Sequence, residues 1–361
     1  MNLRVESRQL HKLVDAGPRS WKTGYVAMDD GVIRQSGSEG LMVATTKIRP
    51  VARSLFSGRA GHPAHLLAPR PVYRTELGAA YATDALSLLK ELPDACVNAV
   101  ITSPPYALHF KKEYGNVDKQ NYLQWMLPFA REIKRVLKKD GSFILNIGGS
   151  YDAGSPTRSL YHFKLLVALV DEIGFYLAQE CFWHNPAKLP SPTEWVNVRR
   201  FRIKDSVEYV WWLSPTAWPY ADNRQVLVPY SKDMKRLIAK GYKAKMRPSG
   251  HNITSKFQND RGGAIAQNVL VRGNNESNSE YISACKELGI KVHPARFPKA
   301  LPEFFIKLLT KPGDLVLDPF AGSNTTGRVA EDLDRRWLAV DIEESYVRAS
   351  AVRFGFDPKK P

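Results

Sequence analysis

The sequence predicts an α/β fold: a mostly parallel sheet with helices on both faces. Three observations carry this. Apolar runs of strand length, "VNAVIT" at 97–102 and "SFILNIGG" at 142–149, read as strands buried on both sides. Between them "NYLQWMLPFAREIKRVLKKDG", 121–141, has helical spacing and closes on Gly141. Further on, "DLVLDPFAGSNTTGRVAEDL", 314–333, reads as strand, tight turn and helix. Strands alternating with helices are the pattern of a parallel sheet.

The elements follow in order. "DALSLLKEL" (84–92) is a short amphipathic helix with Asp84 at its start. "YHFKLLVALVDEIGF" (161–175) is a helix, and "YLAQECFWH" (176–184) a strand. "FPKALPEFFIKLLT" (297–310) is a helix, and "RRWLAVDIEESYVRAS" (335–350) a strand followed by a helix. Residues 1–72 show no clear period and read as a basic, poorly ordered extension. Residues 184–290 break the α/β rhythm. From 184 to 261 there are 15 Lys and Arg against 6 Asp and Glu, and Trp195, Trp211, Trp212 and Trp218 lie nearby. This reads as a basic, aromatic-rich insert, although such tryptophans more often belong to a core.

Composition narrows the class. The formal net charge of +16 attracts polyanions, nucleic acid above all. Cys96, Cys181 and Cys285 are scattered with no CxxC, so neither a disulfide framework nor a zinc site is suggested, and no metal is expected. No apolar run approaches the ~18 residues of a membrane span. The first residues lack the apolar core of a signal peptide, so a cytoplasmic protein is expected.

Two motifs carry chemistry. In "TSPPY", 102–106, Pro cannot donate to a sheet ladder, so the strand stops there. The prolines leave a stiff tip that fixes the Ser103 hydroxyl, the Pro104 carbonyl and the Tyr106 ring. In "DPFAGSNTTG" a strand ends on Asp318 and turns through Gly322 into a helix capped by Ser or Asn. The next strand ends on Asp341, 23 residues later, placed to hold a ribose diol. The turn has no Lys for phosphates, so a nucleoside without phosphates fits, with S-adenosylmethionine the obvious candidate.

Taken in this order, TSPPY, basic insert and Phe-Ala-Gly turn, the chain resembles the DNA amino-methyltransferase family, and within it the beta group. The resemblance spans about residues 75–350. It implies a Rossmann-like S-adenosylmethionine-dependent methyltransferase fold. Residues 73–183 would then be the catalytic half, 184–290 a target-recognition region and 291–361 the cofactor-binding half. Phe320, Ala321 and Gly322 would line the cofactor pocket, with Asp318 beginning the motif and Asp341 binding the ribose hydroxyls, and Thr102, Asp318 and Ser323 would belong to the cofactor-binding set. Asp84 would contact the adenine. His293, Pro294, Arg296 and Phe297 of "HPARFP" would hold the methionine part. Ser103, Pro104, Pro105 and Tyr106 would form the catalytic tip. Arg199, Arg200, Arg202, Lys204, Lys243, Lys245 and Arg247 of the basic region would contact DNA.

The chemistry suits these residue types. An exocyclic amine is a poor nucleophile because its lone pair is delocalised into the ring. Ser103 Oγ and the Pro104 carbonyl can accept its two hydrogens and localise that pair. Tyr106 offers a ring face for a base flipped out of double-stranded DNA. Ser before the two prolines is commoner in N4-cytosine enzymes, so cytosine is favoured, with N6-adenine the alternative. An RNA or protein methyltransferase and a catalytically inactive DNA-binding regulator are more remote readings. A cognate restriction endonuclease and a homodimer are both compatible with the beta group.

Overall fold

The computed structural model describes residues 61–107, 118–241, 245–246, 252–253, 255–274 and 279–358. Residues 1–60 of the expected extension lie outside the described residues. Residues 61–72 correct that expectation, because they pack on the domain. His62 caps the 3-10 turn Pro63–Leu66, accepting from the Ala64 N–H at Nδ1 while Nε2 meets the Thr75 carbonyl at 3.1 Å. Leu67 is buried behind this turn.

The chain then runs through β1 (Tyr73–Arg74), β2 (Gly78–Ala82), α1 (Ala85–Glu91), β3 (Val97–Thr102), α2 (Tyr122–Val136) and β4 (Leu137–Ile147). The helix expected to close on Gly141 therefore stops at Val136, where Leu137 turns extended. The sheet overrides local helical spacing here. Leu137 pairs with Val97 and Ser142 with Ala99, so residues 138–141 bulge from the ladder. Next come α3 (Tyr161–Asp171), β5 (Tyr176–His184), β6 (Val207–Ser214), α4 (Lys232–Lys240), β7 (Lys245–Met246), β8 (Asn252–Ile253) and β9 (Val269–Val271). The last elements are α5 (Ser279–Glu287), α6 (Ala300–Leu309), β10 (Leu315–Asp318), α7 (Thr325–Asp332), β11 (Arg336–Asp341) and α8 (Glu344–Ser350).

One nine-stranded sheet has the order β1-β2-β11-β10-β3-β4-β6-β5-β9. The five strands from β2 to β4 are mutually parallel, and β6 is antiparallel to both of its neighbours. Two parts of 184–290 thus belong to the sheet itself. β6 lies inside the sheet between β4 and β5, and β9 forms its edge. The "VWWL" run is apolar because it is core: Trp211 is fully buried, and Trp212 donates from Nε1 to Ser142 Oγ at 2.9 Å. Trp218, by contrast, is exposed.

Alternate side chains reach opposite faces, as the two-residue period of a strand requires. Leu315 and Leu317 of β10 join the core covered by α1, α2 and α3, while Val316 joins that covered by α6, α7 and α8. The chain leaves β3 through α2 to β4 on one side, and β10 through α7 to β11 on the other. β3 and β10 are neighbours, so the connections diverge between them. The crevice at the C-terminal ends of such strands is where α/β sheets bind ligands. Both sequence motifs end there. Cys181 and Cys285 are buried and Cys96 half-buried, all three as free thiols, and no metal-binding cluster occurs among the described residues. No described helix is long and apolar enough to cross a membrane.

Candidate functional site

A cavity of about 1020 Å³ opens at this crevice. That is the upper end of ordinary small-molecule pockets, enough for a nucleoside cofactor and a base side by side. It has two ends.

At the first end β10 runs into the Pro319–Thr325 turn. Gly322 has φ +50°, and a Cβ there would lie 2.9 Å from the His293 ring, so only glycine fits. Asn324 is left-handed at φ 51° and caps α7 by accepting from the Gly327 N–H at 3.0 Å. Asp341, at the tip of β11, holds the turn by accepting from the Gly322 N–H at 2.8 Å. Its other oxygen accepts from Glu343 N–H at 3.0 Å. Burial raises its pKa, yet the carboxylate still lines the cavity. Phe320 packs against Phe129 and Trp125, with ring centroids 5.2 and 5.7 Å away.

Of the cofactor residues expected from sequence, Asp84, His293, Arg296, Phe297, Phe320, Ala321, Gly322, Ser323 and Asp341 all line the cavity. Asp84 does so while also capping α1, accepting from the Ser87 N–H at 2.7 Å. Burial lowers the His293 pKa to about 4 and lowers that of Arg296. Arg296 donates to the His293 carbonyl, but its Nε is buried with no partner among the described residues. Thr102 and Asp318 are corrections. Neither lines the cavity, because each side chain is consumed beneath its floor. Asp318 accepts from Thr102 Oγ1 at 2.6 Å, from Thr326 Oγ1 at 2.7 Å and from the Phe320 N–H at 3.2 Å. It ties the tips of β3 and β10 to the start of α7. Burial pushes its pKa up to about 6.

At the second end Ser103, Pro104, Pro105 and Tyr106 all line the cavity. The Tyr106 ring is not wholly free for stacking. One side lies on Gly148, where a Cβ would come within 2.6 Å of the ring. Its hydroxyl is the centre of a network. Ser103 Oγ donates to Tyr106 Oη at 3.1 Å, and Tyr106 Oη donates to Glu208 Oε2 at 2.8 Å. Asn146 donates from Nδ2 to both Tyr106 Oη and Glu208 Oε2. Lys188 Nζ reaches Glu208 Oε1 at 3.3 Å. Burial and the Glu208 charge raise the Tyr106 pKa well above that of an ordinary phenol, so Tyr106 rests as the neutral hydroxyl. Glu208, Asn146 and Lys188 were missed by sequence reasoning. A buried Asn in a strand, "FILNIG", was the one available signal.

The basic residues expected on DNA divide. Arg199, Arg200, Arg202 and Lys204 are exposed. Lys204 donates to the Lys188 carbonyl at 3.1 Å, which holds this segment beside the cavity. Arg199 is partly engaged by Glu194 at 2.8 Å. Lys243 and Arg247 lie outside the described residues, and Lys245 is described in backbone only.

Comparison with known proteins agrees with this geometry. The sequence model of the DNA methylase family matches residues 97–352. The type II methyltransferase M.PvuII of Proteus hauseri is 52% identical over 288 residues, covering 79% of this chain and 86% of its own. M.ScaI of Streptomyces caespitosus is 28% identical, covering 77% and 81%. Among solved structures, the PvuII DNA methyltransferase (cytosine-N4-specific) superposes with a TM-score of 0.67 at 44% identity, covering 81% of this chain and 93% of its own. With both motifs on one cavity and the match spanning most of the domain, the chain belongs to the DNA methylase family, the amino-methyltransferases that its motifs resemble.

Proposed function

We propose that this protein transfers a methyl group from S-adenosylmethionine to N4 of a flipped cytosine at a specific site in double-stranded DNA. The observation that carries the reading is that Ser103 and Pro104 share one cavity with the Gly322 turn and Asp341. The resemblance to a cytosine-N4-specific enzyme supports the choice of base.

The residues present fit the cofactor. Asp341 supplies acceptors for a ribose diol, and the absent side chain at Gly322 lets a ligand approach the backbone. The buried, unpartnered Arg296 Nε suits a carboxylate such as that of the methionine part. When bound, S-adenosylmethionine supplies an electrophilic methyl on a sulfonium.

The protein's own residues prepare the amine. Ser103 spends its hydrogen on Tyr106, so its oxygen lone pairs are left to accept from the base. The Pro104 carbonyl, which cannot rotate away between two rigid rings, accepts the second amine hydrogen. Together they hold the amine lone pair out of the ring system and aim it at the cofactor end. Removing the base from the duplex costs a few kcal/mol, and the exposed Arg200, Arg202 and Lys204 offset this through phosphate contacts. As a type II methyltransferase by likeness, the protein would protect DNA from a separate cognate endonuclease.

The test is transfer of label from methyl-tritiated S-adenosylmethionine to unmethylated duplex DNA, with RNA and protein acceptors in parallel. Label on duplex DNA is expected. Label on RNA or protein alone would overturn the reading.

A further inference from the structure

Methylating an amine creates a surplus proton. The nitrogen lone pair forms the N–CH3 bond as the S–CH3 bond breaks, and the sulfur keeps that bond's electron pair. The base nitrogen is then cationic with two hydrogens, and one must leave. Ser103 alone is a poor destination, since a neutral hydroxyl that takes up a proton must give one away. The structure shows where that proton can go. Ser103 Oγ donates to Tyr106 Oη at 3.1 Å, and Tyr106 Oη donates to Glu208 Oε2 at 2.8 Å. Both donors point the same way along the chain, toward a carboxylate.

We propose that Glu208 is the proton acceptor of methyl transfer, reached from the base amine through Ser103 and Tyr106. In a single concerted shift the amine N–H bond breaks toward Ser103 Oγ. The Ser103 proton moves to Tyr106 Oη, and the Tyr106 proton moves to Glu208 Oε2. One proton leaves the base, one reaches the carboxylate, and both hydroxyls end neutral. No oxidant, reductant or further reactant enters.

The surroundings support this assignment. Glu208 is only partly buried and itself lines the cavity, so it can return its proton to solvent between turnovers. Asn146, buried at 2% exposure, donates to both Tyr106 Oη and Glu208 Oε2 and holds the two in register. Around Glu208 the other facing groups are Tyr106 from the tip of β3 and Lys188 from the loop after β5. Tyr161 of α3 lies within Coulombic reach. Lys188 engages Oε1, at 3.3 Å, leaving Oε2 to the relay. Glu208 does not touch the reacting amine, so it acts through Tyr106 as a positioned sink.

The inference rests on the proposed amine methylation, and the experiment separates the two. Single-turnover methyl transfer to unmethylated duplex DNA is measured at neutral pH with saturating S-adenosylmethionine for the wild-type chain, Glu208→Gln, Tyr106→Phe and the double variant. Each single variant is expected to slow transfer about ten- to hundredfold near neutral pH. The double variant should be no slower than the slower single one, because a relay breaks only once. S-adenosylmethionine affinity by calorimetry should stay within about threefold, since neither residue belongs to the cofactor end. Should Glu208→Gln fail to fold, Tyr106→Phe, which removes one oxygen, decides alone. Tyr106→Phe at the wild-type rate would overturn the relay. A wild-type chain that labels no base in DNA would overturn the amine-methylation reading itself.

Discussion

The two ends of the cavity are built in different ways. The cofactor end is built around one contiguous stretch, Pro319 to Thr325, braced by Asp341 from the next strand, with Asp84 and the His293–Phe297 segment beside it. Its shape comes from backbone: a left-handed Gly322, a left-handed Asn324 and a helix start. The base end is assembled from side chains that are far apart in sequence: Ser103 and Tyr106, Asn146, Lys188 and Glu208. Backbone-built sites tolerate change at most side chains and fail at the few that brace them. Sites built from side chains should fail at single atoms.

The first and largest way to break this contrast is Ser103→Ala. It removes the hydroxyl proposed to accept from the amine and touches no residue of the cofactor end. Turnover should fall about 10²- to 10³-fold, the usual cost of a lost preorganised hydrogen bond in a transition state. Cofactor affinity should change little, and calorimetry beside single-turnover kinetics checks both. Asp341→Ala should do the reverse. Cofactor dissociation should rise about ten- to hundredfold, as expected for losing hydrogen bonds to a charged acceptor. Once cofactor is saturating, the methyl-transfer rate should stay near wild type.

A smaller effect is expected outside the cavity. Arg202→Glu should weaken DNA binding several-fold at every sequence and reduce the slope of log affinity against log salt by about 1 or more. Titrations at several salt concentrations read this directly, and an unchanged slope would move the phosphate contacts elsewhere.

The smallest effect on turnover belongs to Asp318→Asn, which touches neither ligand. Its signature is in stability. The folded carboxyl has its pKa raised to about 6 by burial, above its unfolded value. The protonated form therefore stabilises the fold fully below about pH 4, and that contribution is lost as pH rises through about 6. Denaturant melts across this window should show the wild-type minus variant difference falling with pH and then levelling.

The same contrast explains what could be read from sequence. The Phe-Ala-Gly turn, Asp341 and the SPPY tip were legible because each is local: a strand end, a residue with special backbone freedom, and a polar group at fixed spacing. Glu208 and Lys188 were not, because only the pairing of β6 with β4 brings Glu208 near Tyr106. The same pairing hid β6 itself. A strand buried in the sheet and flanked by basic loops has the composition of an insert. Asp318 and Thr102 sit at the strand tips where the motifs place them, but their side chains meet each other beneath the cavity floor, and sequence gives a strand tip but not whether its side chain faces ligand or floor. The helix end at Val136 was missed because a ladder pairing at Leu137 outweighs helical spacing continued by two lysines.

We propose that the base end receives an exocyclic cytosine amine. The most direct test is mass spectrometry of nucleosides from unmethylated DNA of varied sequence, after incubation with the protein and deuterium-methyl S-adenosylmethionine. Labelled N4-methylcytosine is the expected product. Labelled N6-methyladenine in its place, or label on no base, would contradict it.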